Sequence, residues 1–225
     1  MSNKGNNRHV KRLVSGRYAG VYKKESKYLA KPNPGRHTLA SSISLSTTLI
    51  EKLHLASSYR EAKVAINSGK VTVNGKAAKD PHMAIGFGDV ISVSGTNSAH
   101  RVTIGKHSSF AMEEEKNGSN HASKVIGKYL AKKGKVLIRL GNGDTIEGKK
   151  EISVNDSVVF DGKKLSKIIK MEKGANCLVI SGTHASETGV IKEIKAGSAI
   201  VDPTVRISSA GKEFETLLDN VMATE

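Results

Sequence analysis

Residues 57–79 read SSYREAKVAINSGKVTVNGKAAK. Ser58-Tyr59-Arg60-Glu61 matches a capping box, in which the Ser hydroxyl and the Glu carboxylate satisfy orphan amides at a helix start. Ala62, Ala65 and Ile66 then fall at i, i+3 and i+4, one face of a helix, and Gly69 supplies its stop. Val71-Thr72-Val73 alternates as a strand. It runs into Asn74-Gly75, the strongest short-range turn signal, because both residues accept positive φ. Arg60 and Lys63 lie three apart, hence on one helical face, and the turn is expected to bring Lys70 and Lys76 near them. The product is a basic shelf, with the amides of the Ser58 turn open to a phosphate. The same residues also suit an amphipathic helix with ordinary surface charges, and charge by itself does not separate the two.

Upstream, Thr48-Leu49-Ile50-Glu51 is a second capping-box match, and Ile43, Leu45, Leu49 and Leu53 line one side of a first short helix. Downstream, Asp89–Val93 is a strand. Residues 43–94 therefore predict a small α+β module of helix, helix, strand, turn and strand. Beyond it the pattern is mostly β. Val136–Leu140 is a strand followed by a turn at Gly141–Asp144, and Val158–Phe160 is a strand entering a turn at Asp161-Gly162. A helix is expected around Ala122–Leu130. Further strands are expected at Cys177–Ile180, Gly189–Ile191 and Ile200-Val201.

A chain of 225 residues holds one large domain or two to three small ones, and with no Trp and few aromatics several modest cores are favoured. The net charge of +15 opposes compaction and points to a polyanionic partner. Its distribution is uneven: +9 over residues 1–37, +2 over 38–100, +7 over 101–170 and −3 over 171–225. The N-terminal stretch reads as an extended arm broken by Gly and Pro. Its Leu13, Val14, Tyr18, Val21, Tyr22, Tyr28 and Leu29 are interleaved with cations, a pattern that stacks on bases while Lys and Arg take phosphates. The arm is expected to be ordered by that partner.

Other classes lose support residue by residue. Cys177 is the one cysteine, which excludes an internal disulfide and a Cys-based zinc site and fits a reducing compartment. The first fifteen residues carry no apolar signal segment, and no run of about 18 apolar residues suggests a membrane span. Gly143–Lys149 nearly matches a phosphate-binding P-loop, but Lys150 stands where the magnesium-holding Ser/Thr belongs, so a turn and surface loop is expected. Glu113-Glu114-Glu115 reads as a solvated run. The histidines have no metal-ligand spacing, and no GxSxG occurs. No enzyme, cofactor or metal site is expected.

EAKVAINSGKVTVNGK at residues 61–76 resembles the core of the RNA-binding domain named after bacterial small-subunit ribosomal protein four. The rest of the chain is similar, in order, to small-subunit ribosomal protein four of the eukaryotic/archaeal type. Lys11-Arg12-Leu13, PNPGRH at Pro32–His37, GFGDVISV at Gly86–Val93 and GKEFET at Gly211–Thr216 carry the resemblance. Residues 171–194, with Gly174, Gly182, Gly189-Val190-Ile191 and Ile194, resemble a KOW motif. Some positions depart from the family pattern. The arm lacks the family's Trp, Arg36 stands where proline is commoner, Ser186 where Gly is usual, and Glu187 where a basic residue is common. The acidic setting of that loop assigns the barrel to scaffolding or a protein contact.

The expected fold is α+β and β-dominated. It comprises a basic N-terminal arm (1–42), a helix-helix-strand RNA-binding module (43–100), a central β domain (101–171) and an SH3-like KOW barrel with a tail (172–225). The resemblance implies a non-catalytic constituent of the cytoplasmic ribosome. Its partners would be small-subunit ribosomal RNA and neighbouring ribosomal proteins, with no membrane and no small-molecule substrate. The rival reading is a transcription-elongation or RNA-modification accessory protein built from the same modules. The RNA contacts are expected at Lys4, Arg8, Lys11, Arg12, Arg17, Lys23, Lys24, Arg36, Arg60, Lys63, Lys70 and Lys76, through phosphate neutralisation and recognition of shape.

Overall fold

The computed structural model describes residues 8–95, 98–115, 120–131, 134–148, 151–161, 164–198, 200–209 and 211–224. It divides into two compact units, one of the described residues up to 103 together with those of 109–118, the other of 104–108 and those from 119 onward.

The first unit begins with a ribbon of β1 (His9–Lys11) and β2 (Tyr28–Ala30), antiparallel with His9 opposite Ala30. There follow β3 (Ile43–Ser44), α1 (Leu45–Thr47), a π turn over Thr48–Lys52 and α2 (Tyr59–Asn67). Then come β4 (Val71–Val73), β5 (Lys76–Ala77), β6 (Ala84–Ile85), β7 (Val90–Val93), β8 (Ala99–Ile104) and β9 (Phe110–Glu115). The main sheet is ordered β5-β4-β7-β8-β9, and β3 pairs with β6. It thus continues past residue 100, where the sequence places a boundary, because β8 pairs with β7 through Val90 and Arg101.

The arm is not a separate extended segment over its described residues. Ala19, Val21 and Leu29 are buried in the same core as Leu45, Leu49, Ile66, Val71, Ile91 and Phe110. Tyr18 lies 5.5 Å, centroid to centroid, from Phe110, and Lys52 Nζ donates to Gly20 O at 3.1 Å. The apolar residues that suggested base stacking serve in part as core, which lowers the chain's exposed apolar area in the ordinary way.

The first helix starts earlier than the Thr48 capping match implies. Ser44 is its N-cap, accepting from Thr47 N, while the Thr48 hydroxyl donates to Ser44 O at 3.1 Å from inside the helix. Ile43 belongs to β3 instead.

Among its described residues the second unit is all β apart from short 3-10 turns. β10 (Asn120–Leu130), β11 (Val136–Leu140), β12 (Thr145–Glu147), β13 (Ser157–Asp161) and β14 (Lys164–Ile169) form a sheet in the order β12-β11-β10-β13-β14. The helix expected at Ala122–Leu130 is therefore strand. Residues 120–124 pair with β13 and residues 125–130 with β11, with a bulge between Val125 and Gly127, so two partners fix the segment against its local ambiguity. Val125, Ile138, Leu140, Ile152 and Val158 form its core.

The remaining strands are β15 (Asn176–Val179), β16 (Thr188–Lys195), β17 (Thr204–Ser209), β18 (Lys212–Leu217) and β19 (Val221–Ala223), in the order β18-β17-β16-β15-β19. Ile200 and Val201, expected in a strand, lie in the loop between β16 and β17, and Ile200 is 95% exposed. Buried Lys124 donates to Leu218 O at 2.7 Å and Asp219 O at 3.2 Å, tying β10 to the turn before β19. Burial lowers its pKa to about 8.

Candidate nucleic-acid interface

Helix α2 is delimited as its sequence dictates. Ser58 Oγ accepts from Glu61 N, and Glu61 Oε2 accepts from Ser57 N at 2.7 Å. At the other end Gly69, at φ +75°, sends its N–H to Ile66 O (2.9 Å) and Lys70 N reaches Ala65 O (3.3 Å), a Schellman closure. Lys70 is thereby set at the helix exit, and β4 carries the chain into a turn with positive φ at Asn74 and Gly75. The helix start is less open to a phosphate than expected. Glu61 already caps it and places a negative charge in its first turn.

Seven of the expected contact cations line three shallow depressions. Arg60 and Lys70 line one of ≈ 460 Å³ with Ser58, Glu61, Val64, Ala65 and Ser68. Lys63 lies in another of ≈ 260 Å³ with Arg8, Asn33, Tyr59, Asp80, Pro81 and His82. Lys11, Lys23 and Lys24 line a third of ≈ 490 Å³ with Lys27. Arg60 and Lys63 thus share α2 without sharing a depression, and Lys76, exposed on β5, lines none of the three. Arg17 is exposed on a 3-10 turn, and Lys23 Nζ folds back onto Ser15 O at 2.6 Å. Lys4 lies outside the described residues.

Two expected contact residues are structural instead. Arg12 is 3% exposed. Its guanidinium donates to Glu51 Oε1 (2.5 Å), Glu25 Oε2 (3.2 Å), Tyr22 O (2.8 Å) and Ser26 Oγ (3.0 Å). It fastens the arm to the π turn and has no phosphate-facing surface. Arg36 is mostly buried, with NH1 4.0 Å from Asp89 Oδ1.

Asp89 is fully buried and gathers the arm onto the sheet. It accepts from Asn74 Nδ2 (2.8 Å) and Gly86 N (3.0 Å), and His37 Nε2 lies 2.8 Å from its Oδ2. Burial alone would raise its pKa. The His37 hydrogen bond and charge, Arg36 and the Gly86 amide outweigh that and hold the carboxyl below its ordinary value. Gly86 has no room for a side chain: a Cβ there would stand 2.4 Å from the His37 ring. The PNPGRH and GFGDVISV segments are therefore two halves of one polar lock.

A second stitch lies beside α2. Asn33 N donates to His82 O (2.7 Å) and Asn33 Nδ2 to Asp80 Oδ2 (2.7 Å). His82 Nδ1 is 2.9 Å from Lys31 O, a carbonyl that can only accept, so in the neutral ring Nδ1 carries the proton. Nε2 then accepts from the Tyr59 hydroxyl at 2.9 Å. Burial, reinforced by Asp80 and opposed by Arg8, raises the Tyr59 pKa, so the phenol remains a donor. Sequence reading missed Tyr59, His82 and Asn33. The one signal available was that Tyr59 occupies the first turn of a helix already marked as basic.

The C-terminal sheet has a different electrostatic character. Lys192 pairs with Glu213, Lys195 with Glu215 (3.0 Å), and Arg206 with Glu193 (3.9 Å). Three of the five Lys/Arg of residues 171–225 are thus engaged by carboxylates on the same sheet. In the 180–187 loop Ser186 has φ +78°, His184 stacks on Phe214 at 4.1 Å, and Glu187 pairs with His184 at 3.2 Å.

Residues 45–91 match the S4 domain family. The chain is 33% identical over 221 residues to a protein of Methanosphaera stadtmanae named small ribosomal subunit protein eS4, covering 96% of this chain and 92% of the relative. It is 31% identical to the protein of that name from Methanocella arvoryzae, covering 93% and 90%. The crystal structure of 30S ribosomal protein S4e from Thermoplasma acidophilum superposes with a TM-score of 0.69 at 27% identity, covering 81% of this chain and 94% of that one. The β-dominated fold of this chain agrees with the α+β class read from the sequence. By identity and near-complete coverage, this chain belongs to the small ribosomal subunit protein eS4 family.

Proposed function

We propose that this chain is a structural, non-catalytic constituent of the small ribosomal subunit, working in the cytoplasm on the ribosome, where it binds and stabilises ribosomal RNA. The observation that carries the reading is the first unit, in which a capped helix and a folded basic arm line three depressions with Arg8, Lys11, Lys23, Lys24, Arg60, Lys63 and Lys70. Helix α2 and its exit hold Arg60, Lys63 and Lys70, and β1 carries Lys11, so RNA meets a largely preformed surface there and little ordering entropy is lost. Phosphate neutralisation supplies the affinity, and the spacing of the depressions reads backbone shape. The C-terminal sheet, with Lys192, Lys195 and Arg206 already paired, serves as scaffold or as a contact for neighbouring ribosomal proteins, consistent with its likeness to a KOW motif.

Co-sedimentation tests the assignment. The chain should travel with small subunits through a gradient of moderate salt and be released as salt rises. Release from its free RNA site should follow a slope of about −0.7 to −0.9 in log K per phosphate neutralised. Absence from the small-subunit fraction would refute the reading.

A further inference from the structure

The ≈ 260 Å³ cleft between the arm and the start of α2 combines features the other two depressions lack. It offers two cations, Arg8 and Lys63, neither of which forms an ion pair among the described residues. It also holds an aromatic pair, Tyr59 and His82, with centroids 5.9 Å apart, and Tyr59 is 40% exposed. Its volume lies just under the range of about 300–1,000 Å³ typical of small-molecule pockets, which suits one flat group with an attached anion better than a length of strand.

We propose that this cleft receives one unpaired RNA nucleotide, its phosphate held by Arg8 and Lys63 and its base stacked on the exposed Tyr59 ring, which His82, inclined at 51° to it, braces from the side. The inference rests on the ribosomal-RNA reading and narrows it. A duplex keeps its bases stacked and presents only phosphate and sugar, whereas a bulged or looped base exposes a π face. The hydrogen bonds anchor the His82 ring at both nitrogens and the Tyr59 ring at its hydroxyl. His82 is held by Lys31 O on one side and by Tyr59 on the other, so the platform is set before RNA arrives. Asp80 looks unfavourable for RNA, yet it already accepts from Asn33 Nδ2 and His82 N. Its remaining lone pairs favour a base edge that carries N–H donors and leave the phosphate to the two cations.

The test uses the full chain and two synthetic RNA hairpins, one fully paired and one with a single bulged 2-aminopurine in the same stem, at one fixed salt concentration. Wild type should bind the bulged hairpin about ten-fold more tightly, near the lower end of what base–aromatic stacking supplies, and should quench the 2-aminopurine. Tyr59→Leu should erase both the preference and the quenching. Tyr59→Phe, which keeps the ring and loses only the hydroxyl, should retain most of both. Arg8→Gln with Lys63→Gln should weaken the bulged hairpin more than the paired one. Equal affinity of wild type for the two hairpins, or a preference undiminished in Tyr59→Leu, overturns the cleft assignment while leaving small-subunit binding untouched. Failure of wild type to bind small-subunit RNA at all would instead refute the functional reading, and the cleft with it.

Discussion

Replacing Arg12 by Met separates an arginine that binds RNA from one that holds the fold. The side chain is almost wholly enclosed and donates four hydrogen bonds, two of them to carboxylates. Those two carboxylates respond differently to its loss. The Glu25 side chain is 60% exposed and returns to water, so that pair contributes about 0–1 kcal/mol. The Glu51 side chain is 16% exposed and cannot. Removing one partner of a buried pair costs about 3–5 kcal/mol because the other charge is stranded. Partial exposure puts Glu51 at the lower end, so Arg12→Met should cost about 3 kcal/mol. Against a domain stability of about 5–15 kcal/mol the variant should still fold.

Urea unfolding followed by tyrosine emission suits this measurement. The chain has no Trp, and four of its five tyrosines (Tyr18, Tyr22, Tyr28 and Tyr59) lie in the first unit. Adding Glu51→Gln to Arg12→Met should recover part of the loss, since the second substitution removes the stranded charge. The salt slope of RNA binding by Arg12→Met should equal that of wild type when measured under conditions where both are folded. If the variant is as stable as wild type and its slope is shallower by about 0.7–0.9, Arg12 is a phosphate contact and the reasoning fails.

Three further outcomes are expected. Ser186→Gly should stabilise the second unit by up to about 1 kcal/mol in thermal unfolding, because φ +78° is strained for a residue with a Cβ, and a decrease would count against this. Asp89 has a folded-state pKa below its unfolded value, so its contribution is complete above about pH 4 and is lost as pH falls through the folded pKa. Asp89→Asn should flatten the acid limb of a stability–pH curve, and an unchanged limb would refute the lock. Replacing Arg60, Lys63 and Lys70 with Ala should leave stability within about 0.5 kcal/mol per site while flattening the salt slope by up to about three phosphates. In the same assay Glu187→Lys should raise RNA affinity and Glu187→Ala should change it little.

The sequence made α2 and its exit legible because each signal there is local. The Ser58 cap and the Gly69 stop close on partners within five residues, the Asn74-Gly75 turn joins the paired Val73 and Lys76, and all three occur where the pattern places them. The β10 segment was not legible in the same way. Val125, Ile126 and Tyr129 suit a strand, but the neighbouring Ala, Ser, Lys and Leu suit a helix, and the decision falls to β11 and β13, whose pairing distances run up to about forty residues. Ser186 was marked in the sequence only as a departure from the resemblance, and its backbone conformation was not read from it. The structure gives it positive φ, a conformation that glycine adopts freely and that a residue with a Cβ adopts at a cost.

The basic surface was half legible, and the missing half has one cause. Composition counts cations and cannot see their partners. Arg12 meets Glu51 across 39 residues, and Arg36 approaches Asp89, which also takes a hydrogen-bonded His37 from 52 residues away. Once the chain folds, these acids withdraw two arginines from the +9 arm and convert them into fasteners. The fastening in turn makes the remaining arm cations useful. β1 is held beside β2, and Lys31 N donates to Arg8 O at 3.0 Å, so Arg8 comes to line the same cleft as Lys63 of α2. A free basic arm would have to be ordered by RNA at an entropic cost of roughly 1–2 kcal/mol per backbone residue. Here folding has already met that cost for the described arm residues, so hydrogen-exchange protection at residues 9–30 should be present in the free protein. Rapid exchange there, with protection appearing only on RNA, would restore the arm to a segment that its partner orders.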